Sequence, residues 1–166
     1  MNPPTIALRP AQTNDAERLI DIHYASVQHI SEAFYPREIL NAWSPTPSLQ
    51  RHQWMRDTIE SPERIVWVAQ HNDNEISAFA IASATDGFIH ALYVDPKFSG
   101  LGIGKQLLQK IEQLLLHSGL HTAQLKASKN AAAFYQAAGY EPLTDETQQL
   151  SDGSTMACIL MKKTLR

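Results

Sequence analysis

The sequence predicts a mixed α/β fold, an α+β mixed sheet in which an antiparallel meander is followed by a βαβ crossover and a C-terminal hairpin. Three observations carry this. RIVWVAQ (64–70), EISAFAIASA (75–84) and FIHALYV (88–94) are apolar runs separated only by the turn segments HNDNE and TDG. Next, segment 102–118 sets Ile103, Leu107, Leu108, Ile111, Leu114 and Leu115 on one helical face and leads into a further strand, HTAQLKA (121–127). A strand, helix, strand order makes the 88–94 and 121–127 pairing parallel. Finally, segments 140–149 and 154–163 flank the SDG turn at 151–153.

The remaining elements are shorter. TIALRPA (5–11) reads as a short strand, and Asn14 or Asp15 caps a helix, AERLIDIHYASVQHI, with Leu19, Ile22, His23, Val27 and Ile30 near helical spacing. The stretch EAFYPREILNAWSPTPSLQ mixes aromatics with prolines, which break it into short pieces. A short helix is expected around Pro36–Trp43, a loop at Ser44–Pro47 and a further helix at Pro47–Ile59. NAAAFYQAAGY reads as a short helix from Asn130 ending near Gly139, which suits a left-handed position after a helix.

The chain has 166 residues, read as a single domain over 1–166. Its formal net charge is −3, and no Lys/Arg cluster stands out, so a nucleic-acid partner is not expected. Cys158 is the one cysteine, so no internal disulfide and no Cys/His zinc pattern exists. That fits a reducing, cytoplasmic setting. MNPPTIALRPAQTND lacks the basic and apolar regions of a signal peptide, and no apolar run is long enough to span a membrane. His117 and His121 are separated by a helix-ending Gly119, and His23 and His29 share no face well, so no metal site is expected.

VDPKFSGLGIGKQLLQ (94–109) sets Gly100, Gly102 and Gly104 at the start of an amphipathic helix. A helix start offers unpaired N–H groups and about half a positive charge, and missing side chains let a phosphate come close. A plainer reading is a strand-to-helix turn that needs positive φ. GLGIGKQ is one residue short of the GxxxxGK[ST] loop and carries Gln106 where a magnesium-binding hydroxyl belongs. Its glycines also miss the dinucleotide GxGxxG spacing.

LYVDPKFSGLGIGKQLLQ resembles the acetyl-CoA motif of the GNAT superfamily of N-acetyltransferases, and LKASKNAAAFYQAAGYEPL (125–143) is similar to that family's later motif. The resemblance spans the whole element order and implies a GNAT-like acyl-CoA N-acyltransferase fold. It implies acetyl-CoA as acyl donor, an amine acceptor, no metal, and a homodimer as a common assembly. Backbone at Leu92, Tyr93 and Val94 would pair with pantetheine. The amides of Ser99, Gly100, Leu101, Gly102, Ile103, Gly104 and Lys105 would receive the pyrophosphate. Ser99 stands where the family usually has Arg or Gln, so its backbone N–H is the contribution expected to survive. Asn130 would lie beside pantetheine, or cap its helix, and Tyr135 beside the sulfur as the acid for the departing thiolate.

Tyr24, Phe34, Tyr35 and Trp43 lie in the region where the family builds its acceptor pocket; a core beneath short helices explains them equally well. The proton acceptor is expected at His90, where many family members carry an acidic residue. Strand alternation places His90 on the face of Leu92 and Val94, opposite Ile89, Ala91 and Tyr93, and a bulge would re-aim it. Glu32, His29 or a water chain are the alternatives. A non-catalytic acyl-CoA binding or sensing domain, and O-acyl or longer-acyl transfer, are the rival functions.

Overall fold

The computed structural model describes residues 5–166; residues 1–4, part of the segment read for a signal peptide, lie outside it. The strands are β1 (Ile6–Pro10), β2 (Arg64–His71), β3 (Ile76–Ser83), β4 (Phe88–Val94), β5 (Thr122–Ser128), β6 (Glu141–Gln149) and β7 (Thr155–Thr164). The helices are α1 (Ala16–Gln28), α2 (Arg37–Trp43), α3 (Leu49–Glu60), α4 (Ile103–His117) and α5 (Ala132–Ala137). One sheet runs in the order β1-β2-β3-β4-β5-β7-β6. All its pairs are antiparallel except β4 with β5. The predicted meander, crossover and hairpin are therefore all present.

Helices cover both faces. Ile103, Leu107, Leu108, Ile111 and Leu115 of α4 pack on Ala78, Ala80, Ala82, Ile89 and Leu125. On the other face Leu19, Ile20 and Ile22 of α1 and Met55 of α3 pack on Val66, Val68, Phe79 and Ile81. This is why β3 is buried along its whole length and reads as a continuous apolar run rather than an alternating one. A smaller core of Val27, Tyr35, Leu40, Leu150 and Met156 seats α2 against the last hairpin.

Two element ends differ from the sequence reading. The helix α3 begins after Ser48, whose hydroxyl accepts from the Arg51 N–H, so Pro47 stays outside it. The helix α5 begins at Ala132 with Ala131 as its flanking residue, so Asn130 is not its cap. Its end matches: Gly139 has φ 99°, and the N–H of Tyr140 reaches back to the Tyr135 carbonyl at 3.0 Å.

Two departures from regular pairing open the sheet at β4. The parallel ladder between β4 and β5 holds only the pairs Phe88–Gln124 and Ile89–Leu125, whereas β5 pairs with β7 from Thr122 through Ser128. The strands therefore part beyond Ile89. In addition, β4 carries a bulge: Ile81 opposes Ala91 and Ala82 opposes Ile89, which leaves His90 as the extra residue.

The start of the parallel ladder depends on Gly87. Its φ is 77°, and its carbonyl accepts from the Gln124 N–H at 3.2 Å. A Cβ at this position would collide with the Thr122 carbonyl oxygen. Gly87→Ala is expected to destabilise the fold by about 2 kcal/mol or more, from left-handed strain plus the collision. Urea unfolding of parent and variant measures it, and an unchanged midpoint would contradict the assignment.

Candidate active site

The gap between β4 and β5 forms a cleft lined by His90, Leu92 and Tyr93 on one side and Leu125, Lys126 and Ser128 on the other. Tyr135 and Ala131 enter from α5, Trp43 from α2, and Gln148, Met156 and Cys158 from the last hairpin. The bulge changes which face each β4 side chain takes. Ile89 joins the same core as Leu92 and Val94, while Ala91 and Tyr93 pack on the opposite side. The strict alternation expected for His90 therefore fails: the extra residue shifts the phase between Ile89 and Leu92. His90 is exposed at the bulge, its ring 4.9 Å from that of Phe88. Its surroundings still withdraw enough solvent to push its pKa down, and Arg64 adds to this while Asp86 opposes it.

At the far end of β4 the chain is clamped before it enters the glycine loop. Asp95 is buried, and its carboxylate accepts from Arg18 at 2.8 Å and from the Lys97 N–H at 3.0 Å. Burial alone would raise its pKa, but the Lys97 and Arg18 hydrogen bonds outweigh it and hold the group below the usual range. Ser26 of α1 donates to the Val94 carbonyl at 3.1 Å. The loop then leads into α4, where the Gln106 N–H makes the first helical bond, to the Gly102 carbonyl.

The turn reading of the glycines holds at two positions. Gly100 and Gly102 each have φ 77°, which the turn requires, and a Cβ on either would meet open space. Gly104 differs: a Cβ there would sit in ordinary van der Waals contact, 3.4 Å from Val94 and 3.6 Å from Phe134. Among the described residues, the N–H groups of Gly100, Leu101, Gly102, Ile103, Gly104 and Lys105 find no hydrogen-bond partner. Ser99 does not join them, because both its N–H and its hydroxyl donate to the Pro96 carbonyl, at 3.2 and 2.9 Å. The Lys105 side chain is exposed. The open donors at a helix start fit a phosphate-bearing ligand.

Tyr135 is buried between Phe134 and Tyr140, with ring centroids 5.1 and 5.7 Å away. Its hydroxyl has no partner among the described residues, and burial, with Tyr93 nearby, raises its pKa. It therefore stays protonated at neutral pH. Asn130 is exposed beside the cleft-lining Ser128 and Ala131.

The expected acceptor aromatics separate into distinct roles. Trp43 lines the cleft. Tyr35 does not serve it as a wall: it is 3% exposed, donates to the Ala157 carbonyl at 2.6 Å and accepts from the Lys129 N–H at 2.8 Å. It is a strut between the segment before α2 and the sheet. Phe34 is 44% exposed, and Tyr24 is half-buried on α1; neither lines the cleft. Glu32 is paired with Arg37 at 2.9 Å, and His29 is exposed. Among the described residues no group of His, Cys, Asp or Glu is arranged to hold a metal ion.

Sequence reasoning missed a cluster on the α1 side of the cleft. His23 Nδ1 lies 2.7 Å from Ser44 Oγ and 3.2 Å from Arg51 Nη2, and its ring centroid is 4.4 Å from that of Tyr93. A guanidinium only donates, so Nδ1 accepts and His23 is neutral. The helical spacing of His23 was legible, but its partners come from a loop and another helix. The β7 residues Met156 and Cys158, spaced by two, were also readable as one strand face.

Such a cleft, between parted parallel strands and leading to a helix start with alternating glycines, fits an acyl-CoA transferase fold. The comparisons agree. A sequence profile described as an acetyltransferase (GNAT) domain matches residues 31–165, and the chain belongs to this family. It is 34% identical over 80 residues to the peptidyl-lysine N-acetyltransferase YjaB of Salmonella typhimurium, an alignment covering 48% of this chain and 52% of that protein. The chain thus matches about half the length of this curated relative. A GCN5-related N-acetyltransferase structure from Rhodopseudomonas palustris is 27% identical, with TM-score 0.88 and 99% of each chain covered. The PaiA N-acetyltransferase of Thermoplasma acidophilum, in complex with coenzyme A, shares the fold at TM-score 0.76 and 18% identity, over 96% of this chain and 99% of its own. No helix among the described residues is long and apolar enough to cross a membrane.

The neutral His23 has a measurable consequence. Burial first, and Arg51 second, push its pKa from 6.5 to about 3. Above pH 6.5 it is neutral in both states. Below that, the unfolded chain binds a proton that the folded chain refuses, so stability falls by about 1.4 kcal/mol per pH unit. His90, also lowered, acts in the same direction. His23→Gln is expected to remove about one proton's worth of slope between pH 6.5 and 5. Urea titrations at several pH values test this, and equal slopes would place His23 in solvent.

Proposed function

We propose that this protein is a single-domain N-acetyltransferase over 1–166 that moves the acetyl group of acetyl-CoA to a primary amine. One observation carries the reading: the unpartnered N–H groups from Gly100 to Lys105 stand at one end of β4, and the free Tyr135 hydroxyl stands in the cleft beside that strand. A pyrophosphate at the first and a thioester at the second fit one extended ligand lying along the unpaired edge of β4. That the matched Salmonella relative is a peptidyl-lysine N-acetyltransferase supports an amine as acceptor.

The residues divide the work. Leu92, Tyr93 and Val94 offer backbone to the pantetheine arm, and Asn130 approaches it from the other wall. The amides of Gly100 to Lys105 hold the pyrophosphate. An alkylamine with a pKa near ~10 must lose a proton before attack. His90, neutral at pH 7, takes that proton directly or through water. Tyr135 gives its proton to the departing thiolate, a role its raised pKa allows. Holding donor and acceptor together in the cleft supplies much of the acceleration.

Two variants test this. Gly102→Val is expected to lower affinity for CoA tenfold or more, because it strains the left-handed turn and fills the open space above it. Calorimetry with CoA measures the change, and normal affinity in a folded variant removes the loop from the site. Tyr135→Phe is expected to lower kcat by about tenfold to a hundredfold with little change in the acetyl-CoA KM. Thiol release with a panel of primary amines reads this. Acetyl-CoA binding without turnover on any amine would favour the non-catalytic domain.

A further inference from the structure

We infer that Tyr93, through its side-chain hydroxyl and not only its backbone, is the donor to the thioester carbonyl oxygen, and that Trp43 positions it. This rests on the acetyl-transfer reading of the cleft. Trp43 Nε1 lies 3.2 Å from the Tyr93 hydroxyl, and both residues line the cleft. An indole N–H donates and never accepts. The Tyr93 oxygen is thus the acceptor of that bond, and its own proton must point elsewhere. Among the described residues the Tyr93 hydroxyl donates no hydrogen bond, and Tyr93 and Trp43 are both among the residues that line the cleft.

The ring is held by further aromatic neighbours. It contacts Phe79 at 5.6 Å and His23 at 4.4 Å between centroids, and His23 is itself fixed by Ser44 and Arg51. The neighbouring Arg51 favours the phenolate, but burial prevails and pushes the Tyr93 pKa up to about 12. Tyr93 therefore remains a donor at neutral pH.

A thioester has two atoms that gain negative charge during aminolysis, and the cleft has two free phenols. Tyr135 comes from the α5 face of the sheet and Tyr93 from the α1 face. The amine nitrogen forms its bond to the carbonyl carbon, and the π pair moves to oxygen, where Tyr93 donates a hydrogen bond and keeps its proton. The pair then re-forms the carbonyl, the carbon–sulfur bond breaks, and the thiolate takes the Tyr135 proton. The proton lost by the attacking amine leaves through His90 or water, and solvent reprotonates Tyr135. Preorganised donors aimed at a developing oxyanion are often the largest catalytic contribution.

The test needs no acceptor. Calorimetry on the full chain compares acetyl-CoA, S-ethyl-CoA, which lacks the carbonyl oxygen, and CoA. The parent should prefer acetyl-CoA over S-ethyl-CoA by about threefold to tenfold, as one hydrogen bond supplies. Tyr93→Phe, which keeps the ring packing, should bring that ratio to about one while leaving CoA affinity within about twofold. Trp43→Phe should lower the ratio partway, and the double variant should match Tyr93→Phe alone. The carbonyl stretch of bound [1-13C]acetyl-CoA should shift to lower frequency in the parent and return toward the free value in Tyr93→Phe. An unchanged ratio and stretch in Tyr93→Phe overturns the inference. If that variant fails to fold, an unshifted stretch in the parent, or an unchanged ratio in Trp43→Phe, overturns it equally. If the parent binds none of the three compounds, the acetyl-CoA reading itself has failed.

Discussion

The unequal pairing of β5 is the constraint on which the site depends. This strand forms a full antiparallel ladder with β7 but shares only Phe88–Gln124 and Ile89–Leu125 with β4. Backbone groups of β4 beyond Ile89 are therefore left without a sheet partner on that side. Unpaired strand backbone is a ready template for an extended ligand. The bulge at His90 begins where the pairing stops, and it turns the following side chains so that Leu92 and Val94 face α4 while Tyr93 faces α1. One extra residue thus sets which wall each side chain joins.

The struts around the opening keep it from collapsing. Tyr35 bridges the Ala157 carbonyl and the Lys129 N–H, tying the segment before α2 to β7 and to the end of β5. On the other face, Tyr140 donates to buried Glu112 at 2.8 Å, and Lys163 pairs with the same carboxylate at 3.0 Å. That trio locks the end of α5 to α4 and β7. Removing one member would leave a buried carboxylate short of partners, which costs more than the pair itself contributes. Asp95, bound by Arg18, fixes the exit of β4. The cleft is framed by polar bonds that close on themselves, while its interior keeps hydroxyls and amides free.

Burial sets the electrostatic character of that interior. Tyr93 and Tyr135 are kept protonated and His23 is kept neutral, all mainly by loss of solvent. These three buried groups are therefore neutral hydrogen-bonding groups rather than charges. Fixed dipoles in a partly dry cleft act strongly on charge that develops during a reaction, and need little rearrangement to do so.

The sequence by itself determined the order of elements, the meander, the crossover and the closing hairpin, because periodicity and turn chemistry are local. It also marked the glycine loop and Tyr135, since each lies within one contiguous motif. What it left open are relations between distant segments. That Ser99 is engaged with Pro96 while the following amides are free depends on how the loop closes. That a Cβ at Gly104 would touch Val94 and Phe134, while one at Gly100 or Gly102 would meet open space, depends on where α5 lies. Asn130 resembles a cap, yet the helix starts two residues later. Tyr35 and Trp43, in one proline-broken stretch, were indistinguishable by composition, and only the fold made one a strut and the other a wall. The His23, Ser44 and Arg51 cluster joins three segments, and the phase of His90 turns on a bulge that alternation cannot reveal. In each case the deciding quantity is which groups meet across the sheet, and that is fixed only when the strands have paired and the helices have packed.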